Sequence, residues 1–388
     1  MSHSETASMN NEFSQVVRNA PATGNASPAD NETQASDTLH ASSKDNPWYY
    51  EYLDQIANLE LKNKPAQQGG TALRYRQARA AQGGGPICAG IAQALQSVQA
   101  GGTVILVTGT GNPEWLPQGE TDGPSGVAVL ARVFGALGLR SCILSEARFL
   151  PGVAASVRAG GTPLLDEAAW RRRANAALIL PFPTGAAAAG PFIEDLLGRL
   201  PDVAAGFFIE KPGPNALGVF HNSSGKPKDS DWVAHAHLLV PALRARGLPT
   251  LAVGDGGNEI GFGRLRAQLA AQLPGAGQCA CPCQGGLLDA TEVDLLLPAA
   301  VSNWGAYAIA AALALAHERP SLLPDWPEVA ASISAPLAEG AFDGYSGLAL
   351  DTVDGTSRAA NHAVYHLMQE VLRLAREQAS NLPAGATV

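Results

Sequence analysis

Residues 103–111 read Thr103-Val-Ile-Leu-Val-Thr-Gly-Thr-Gly111. A short run of apolar and β-branched residues, closed by glycines, suits a strand buried on both faces. Such a strand belongs in a parallel sheet with helices packed against it. The same unit recurs on either side. Further strands are expected at 140–145, 176–180, 203–210, 249–254 and 293–297. Helices are expected at 86–99, 124–137, 166–174, 191–200, 231–246, 258–272, 303–318, 327–338 and 358–378. Strands alternating with helices give βαβ units, so the expected class is α/β: a mainly parallel sheet with helices on both faces. In such sheets ligands bind in the loops at the carboxyl ends of the strands.

Outside this core the composition changes. Residues 1–46 are rich in Ser, Asn, Thr, Ala and Asp, with Met9, Phe13, Val16, Val17 and Leu39 as the large apolar residues after Met1. A segment of this kind buries too little to offset its ordering entropy, so it reads as a disordered tail. The folded chain, 47–388, is expected to begin at Pro47-Trp48, where Trp48, Tyr52, Ile56 and Leu59 recur at helical spacing. Residues 67–85, rich in Gly, Gln, Ala and Arg, read as a linker or exposed loop.

The charge balance narrows the function. There are 26 basic residues against 35 acidic ones, a net charge of −9. Nucleic-acid binding needs a basic footprint, which is missing here, and an acidic surface is not drawn to anionic membranes. No apolar run reaches the roughly 20 residues of a membrane helix, and no basic-then-apolar leader is read at the start of the sequence. Five cysteines do not make a disulfide framework at this length. Cys88 and Cys142 read as core residues, and Cys279-Ala-Cys-Pro-Cys283 reads as a loop of reduced thiols because it lacks paired C-x2-C spacing. A cytoplasmic protein is expected, with a small molecule as partner, a second copy of the chain as an open option, and neither nucleic acid nor membrane.

The strand-end loops hold the chemistry. Thr108-Gly-Thr-Gly-Asn-Pro-Glu114 and Gly119-Glu-Thr-Asp-Gly-Pro124 follow the first strand. Glu210-Lys-Pro-Gly213 and Gly218-Val-Phe-His-Asn222 follow the fourth, Gly254-Asp-Gly-Gly-Asn-Glu-Ile-Gly261 the fifth, and Val301-Ser-Asn-Trp-Gly305 the sixth. Both G-x-G loops resemble a dinucleotide fingerprint, but Glu114 and Glu259 stand where its third glycine belongs. A carboxylate there repels a pyrophosphate, so no nucleotide cofactor is expected. Glu120, Asp122, Glu210, Asp255 and Glu259 are expected on one rim. Oxygen ligands so grouped suit Mg²⁺ or Mn²⁺, a substrate ammonium, or general-base work. Asp122 and Asp255 suit equally well as caps of the helices after them.

Gly254-Asp-Gly-Gly-Asn-Glu-Ile-Gly-Phe-Gly263 resembles the signature of the D-glutamate cyclase family, in its C-terminal catalytic domain. Gly119-Glu-Thr-Asp-Gly-Pro124 leading into Leu130-Ala-Arg132, the stretch from Ile209-Glu-Lys-Pro-Gly213 to Asn222, and Val301-Ser-Asn-Trp-Gly-Ala-Tyr307 are similar to it as well. The likeness spans about residues 85–370. It departs at Phe262, where the family usually has Met, and after Asn222, where a Met-Arg pair is expected and Ser-Ser stands. Animal members carry a further N-terminal domain and are mitochondrial, where this chain has a short tail.

The resemblance implies a lyase that closes D-glutamate to 5-oxo-D-proline with loss of water. It implies Asp255 or Glu259 as holder and base of the amine, and Glu120 with Asp122 on the acid or Lewis-acid side. The backbone of Gly256, Gly257 and Asn258, at a helix start, would cradle a carboxylate. Gly111, Asn112, Glu210, Asn222, Asn303 and Trp304 would line the substrate, and Asp122, Asp255 and Glu259 would hold the divalent ion. Two other readings fit the same acidic rim: a metal-dependent hydrolase of a small phosphorylated metabolite, and a non-catalytic amino-acid-binding protein. Asp343, Asp351 and Asp354 mark a late loop that could cover the site.

Overall fold

Six buried strands answer the expected ones: β1 (Thr103–Thr108), β2 (Arg140–Ser145), β3 (Ala177–Pro181), β4 (Val203–Ile209), β5 (Thr250–Gly254) and β6 (Leu295–Pro298). In this computed structural model, which describes residues 43–62 and 69–380, all are parallel and lie in the order β3-β2-β1-β4-β5-β6. The chain steps outward from β1 to β3, crosses back, and steps outward again from β4 to β6. Loops leaving β1 and β4 therefore diverge and open a crevice at the carboxyl edge, where this topology places ligands.

The helices in chain order are α1 (Pro47–Ala57), α2 (Gly70–Ala81), α3 (Ile87–Gln96), α4 (Pro124–Ala136), α5 (Leu150–Ala159), α6 (Glu167–Trp170), α7 (Ala186–Arg199), α8 (Leu239–Arg244), α9 (Arg266–Ala270), α10 (Ser302–Ala316), α11 (Trp326–Ser334) and α12 (Arg358–Ser380). A two-stranded hairpin, β7 (Thr352–Val353) and β8 (Thr356–Ser357), precedes α12. Every residue of α10 is buried. Its Ala/Leu/Ile surface packs on α1, α3, α4 and α12 and touches β4, β5 and β6, as expected of a helix apolar on all sides. On the opposite face α8 lies against β4 and β5, so close that a Cβ on Gly206 would stand 2.2 Å from Leu243 Cδ1.

Several expectations need correction. The tail over 1–46 falls outside the described residues except at its end, where Ser43–Asp45 make a 3-10 turn and Asn46 Oδ1 caps α1 by accepting from Trp48 N–H at 3.1 Å. The supposed linker at 67–85 contains α2, with Thr71, Arg74, Tyr75 and Ala78 buried. Helix α5 was unread, although Val153 and Val157 lie one turn apart on its buried side. The helix expected at 231–246 is two 3-10 turns and the short α8. No helix starts at 258. There Gly257 and Gly261 have φ of 101° and 121°, and Ile260 N–H bonds to Lys211 C=O at 2.8 Å, so the segment runs extended beside the chain leaving β4. Helical structure begins only at Gly263.

Candidate active site

The switch between β1 and β4 is packed tightly enough to dictate its residues. Gly123, at φ 97°, begins the turn into α4, and a Cβ on it would stand 2.4 Å from Thr108 Oγ1 and 3.1 Å from Glu210 Cβ. Glu210 itself is held at φ 48°, a left-handed conformation that costs a non-glycine residue about 1 kcal/mol or more. Strain of that kind aims its carboxylate into the crevice, where Oε2 accepts from Ser302 Oγ at 2.6 Å. Oxygen atoms of Asp122, Glu210 and Asp255 come within 4.8 Å of one another, and all three residues are buried. Glu120 is buried beside them. It faces the late loop, for a Cβ on Gly344 would meet Glu120 Oε2 at 2.2 Å and Asp354 Oδ1 at 2.9 Å.

So many buried acids push one another's pKa values up. Burial, then the charges of Asp354 and Asp122, holds Glu120 well above the usual carboxylate range. Burial, then Asp255, does the same to Asp122 and to Glu210. Glu259 is raised to about 7, again by burial and Asp255. Carboxylates crowded in this way favour a proton or a cation among them.

One cation is already there. The ammonium of Lys62 pairs with both Asp255 and Asp354. Burial alone would lower its pKa, but Asp255, Asp354 and Asp122 outweigh that and raise it. Next to it lies Arg74 of α2, 5% exposed, whose Nε has no hydrogen-bond partner among the described residues. Burial lowers the Arg74 pKa against the pull of Asp255 and Glu259. Glu60, Lys62, Thr71, Arg74, Ser223 and Asp255 line one small cavity of about 10 Å³. A larger hollow of about 690 Å³ at β3 is lined by Leu180, Phe182 and Phe192 with Arg148, Asp195 and Arg199; its one acid, Asp195, is exposed and paired with Arg199, so the buried acid basin is the candidate site. Neither Lys62 nor Arg74 was expected from sequence. The signal for Arg74 was its spacing from Thr71, Tyr75 and Ala78 on one helical face, masked by the glycines around it.

The structure spends several expected ligands on its own backbone. Asp122 does cap a helix, but that helix is α10: its carboxylate accepts from Ser302 N–H at 2.9 Å and Asn303 N–H at 2.7 Å. Asn303 returns the cap to α4, its Oδ1 accepting from Gly123 N–H at 3.0 Å and Gly126 N–H at 2.7 Å. The amides of Gly256 and Gly257 hold the chain's own Glu259, whose carboxylate accepts at 3.2 Å and 2.8 Å. No helix N-terminus exists there to cradle another carboxylate, and Glu259 is not grouped with Asp122 and Asp255; Glu210 takes its place. Asn112 Oδ1 closes a turn onto Trp115 N–H at 2.7 Å, and Asn222 Oδ1 one onto Lys226 N–H at 2.9 Å. Trp304 is fully buried and donates to Asn361 Oδ1 at 2.7 Å. Gly111 lends its carbonyl to Lys228 Nζ at 3.3 Å. Asn258 donates to His221 C=O at 3.2 Å, while its buried Oδ1 has no partner among the described residues. In the late loop only Asp354 reaches the basin. Asp343 closes a turn onto Ser346 N–H at 2.7 Å, and Asp351 pairs with Arg358.

The three carboxylates Asp122, Glu210 and Asp255 offer oxygen alone, the donor set of Mg²⁺ or Mn²⁺. No described helix is long and apolar enough to cross a membrane.

Comparison with known proteins agrees with the geometry. The chain is 31% identical to human mitochondrial D-glutamate cyclase over 105 residues, which is 27% of this chain and 16% of that protein. The match thus covers a minor part of the human enzyme. The family described as D-glutamate cyclase-like, C-terminal, matches residues 86–369, which take in the whole parallel sheet and the acid basin. By that match the chain belongs to the D-glutamate cyclase-like family.

Proposed function

We propose that the chain is a lyase that closes D-glutamate to 5-oxo-D-proline with release of water. The observation that carries this reading is the lining of one cavity: a buried guanidinium, Arg74, whose Nε is unpaired among the described residues, at one side and carboxylates at the other. At about 10 Å³ the cavity has room for about one water, so glutamate enters only as Lys62 withdraws from Asp255 and Asp354. An α-amino acid has the complementary charges. Its α-carboxylate suits Arg74 through charge-assisted hydrogen bonds. Its α-ammonium suits the Asp255–Asp354 pair, which already binds the primary ammonium of Lys62.

The reaction joins nitrogen to the γ-carboxyl carbon within one molecule, so folding the substrate into a near-attack geometry is a large part of the work. Asp255 takes a proton from the α-ammonium, and the freed amine attacks the γ-carbon. Glu120, whose pKa is raised by burial and its acidic neighbours, gives its proton to the departing oxygen, which leaves as water. Nitrogen loses two protons in all: one returns Glu120 to its acid form, and one joins the γ-carboxylate oxygens in the water released. Asp122 and Glu210, which lie with Asp255 in one oxygen cluster, would hold a divalent ion and leave Asp255 to the amine, and such an ion supplies Lewis-acid polarisation of the γ-carboxyl group.

The test is direct. Purified protein is incubated with D- or L-glutamate, with Mg²⁺ or Mn²⁺ or with EDTA, and 5-oxoproline is quantified by chiral chromatography. Product from the D-isomer is expected. No product from either isomer under any condition would overturn the proposal.

A further inference from the structure

Outside the acid basin, the loop after β4 meets the long connection between α9 and β6. Cys279, Cys281 and Cys283 form a triangle there, with Sγ–Sγ separations of 3.2, 3.3 and 3.3 Å. All three are free thiols. The fourth corner comes from far upstream: His221 Nε2 lies 3.3 Å from Cys281 Sγ and 3.6 Å from Cys283 Sγ. His221 and Cys279 are buried, and the other two cysteines are half-buried.

We propose that His221, Cys279, Cys281 and Cys283 bind one Zn²⁺ in a closed, structural site. Three sulfurs and one imidazole nitrogen are a structural-zinc donor set, and with four protein ligands no position is left for substrate. The histidine is oriented for it. Its Nδ1 lies 3.1 Å from the Val219 carbonyl oxygen, which can only accept, so Nδ1 carries the proton and Nε2 turns a lone pair towards the sulfurs. A backbone carbonyl fixing the outer ring nitrogen is the usual support of a metal-bound histidine. Gly285 N–H and Asn215 Nδ2 reach Cys283 Sγ at 3.4 and 3.5 Å, donors that suit a thiolate. With zinc–sulfur bonds of about 2.3 Å, tetrahedral sulfurs stand about 3.8 Å apart. The triangle is roughly 0.5 Å tighter, and an entering ion opens it.

The spacing C-x-C-x-C concealed this. Paired zinc ligands are sought two residues apart, with their partners close downstream. Here the tract turns back at Gln284, at φ 51°, and the histidine arrives through the fold. The ion also has something to hold. Residues 271–294 contain no helix or strand, and a loop that long needs its own anchor. Zinc ties it to the 220s hairpin, two residues before Ser223, which lines the substrate cavity.

The experiment uses the full chain, purified without chelator and dialysed against metal-free buffer. Elemental analysis is expected to find about one zinc per chain. Titration with a mercurial in the folded protein should release that zinc as three thiols are consumed. A Glu210→Gln, Asp255→Asn variant should retain it, which separates this site from the acid basin. A Cys279→Ser, Cys281→Ser variant should lose it. Should that variant not fold, Co²⁺ exchanged into the wild-type protein should show the strong visible bands and sulfur charge transfer of tetrahedral thiolate cobalt. Protein with no stoichiometric zinc, no cobalt bands and freely reactive thiols, or with two of these cysteines joined as a disulfide, would overturn the proposal.

Discussion

Arg74 is buried with its Nε unpaired among the described residues, and a buried donor without an acceptor costs about 1–3 kcal/mol. Such a cost persists where a ligand removes it. Arg74→Gln is therefore expected to raise KM for glutamate roughly 30- to 150-fold, the equivalent of about 2–3 kcal/mol for a charge-assisted bond, with a smaller change in kcat. Steady-state kinetics check this, and an unchanged KM would remove Arg74 as the carboxylate anchor. Glu259 makes a second residue-level prediction. Its folded pKa of about 7 lies above the ordinary value of 4.5. The stability it contributes is thus complete below about pH 4.5 and is lost as pH rises through 7. Glu259→Gln cannot titrate, so between pH 5 and 8 its unfolding free energy from urea titration should fall less than that of the wild type, by an amount on the order of 2–3 kcal/mol. Equal slopes would show that Glu259 does not titrate in this range. The acids were legible as a group because carboxylates beside glycines at strand ends have few other uses. Their division of labour was not. Asn112, Asn222 and Asn303 serve turns and caps, and the oxygen that holds an N–H is the same oxygen that would hold a ligand.

Two helices exchange their caps across the site. Asp122, at the start of α4, satisfies the first amides of α10, and Asn303, in the first turn of α10, satisfies those of α4. The exchange fixes the two helices to each other and so places Glu120 and Asp122 against Ser302 and Glu210. Asn303→Ala should cost about 2 kcal/mol, more than one exposed cap, because two buried amides lose their acceptor. Asp122→Ala, Asn303→Ala together should cost less than the sum of the single changes, since either alone already breaks the exchange. Urea denaturation of the four proteins in this cycle measures the coupling, and strict additivity would show the caps to be independent. Elements were legible wherever a period ran long enough. The strands and α10 have apolar runs that admit one reading. The segment at 258–272 misled because its glycines and Asn258 imitate a helix start, whereas Lys211 C=O draws Ile260 N–H into an extended pairing that only the tertiary fold supplies.

At the scale of the molecule, the family match starts at residue 86, yet Lys62 and Arg74 come from before it. The active basin is thus finished by an N-terminal helical layer that the sheet does not contain. What holds that layer down is Asp54 of α1. Its buried carboxylate accepts from Ile87 N–H at 2.6 Å, Cys88 N–H at 3.0 Å and Tyr75 OH at 2.8 Å, joining α1, α2 and the start of α3 at one point. Ala300, just before α10, adds a bond from its N–H to Ala57 C=O at 2.8 Å. Replacing Asp54 by Ala leaves three buried donors without an acceptor, at about 1 kcal/mol or more each. None of the six strands bonds to that carboxylate, although α1 and α2 pack into the same apolar core as the sheet. Asp54→Ala should therefore loosen α1 and α2 before the sheet unfolds. Hydrogen exchange should quicken over residues 47–81 while β1, β4 and β5 stay protected, and turnover should fall because Arg74 leaves the cavity. Uniform loss of protection across the sheet would instead show that the layer and the sheet form one cooperative unit, in which the N-terminal helices are as much part of the core as of the site.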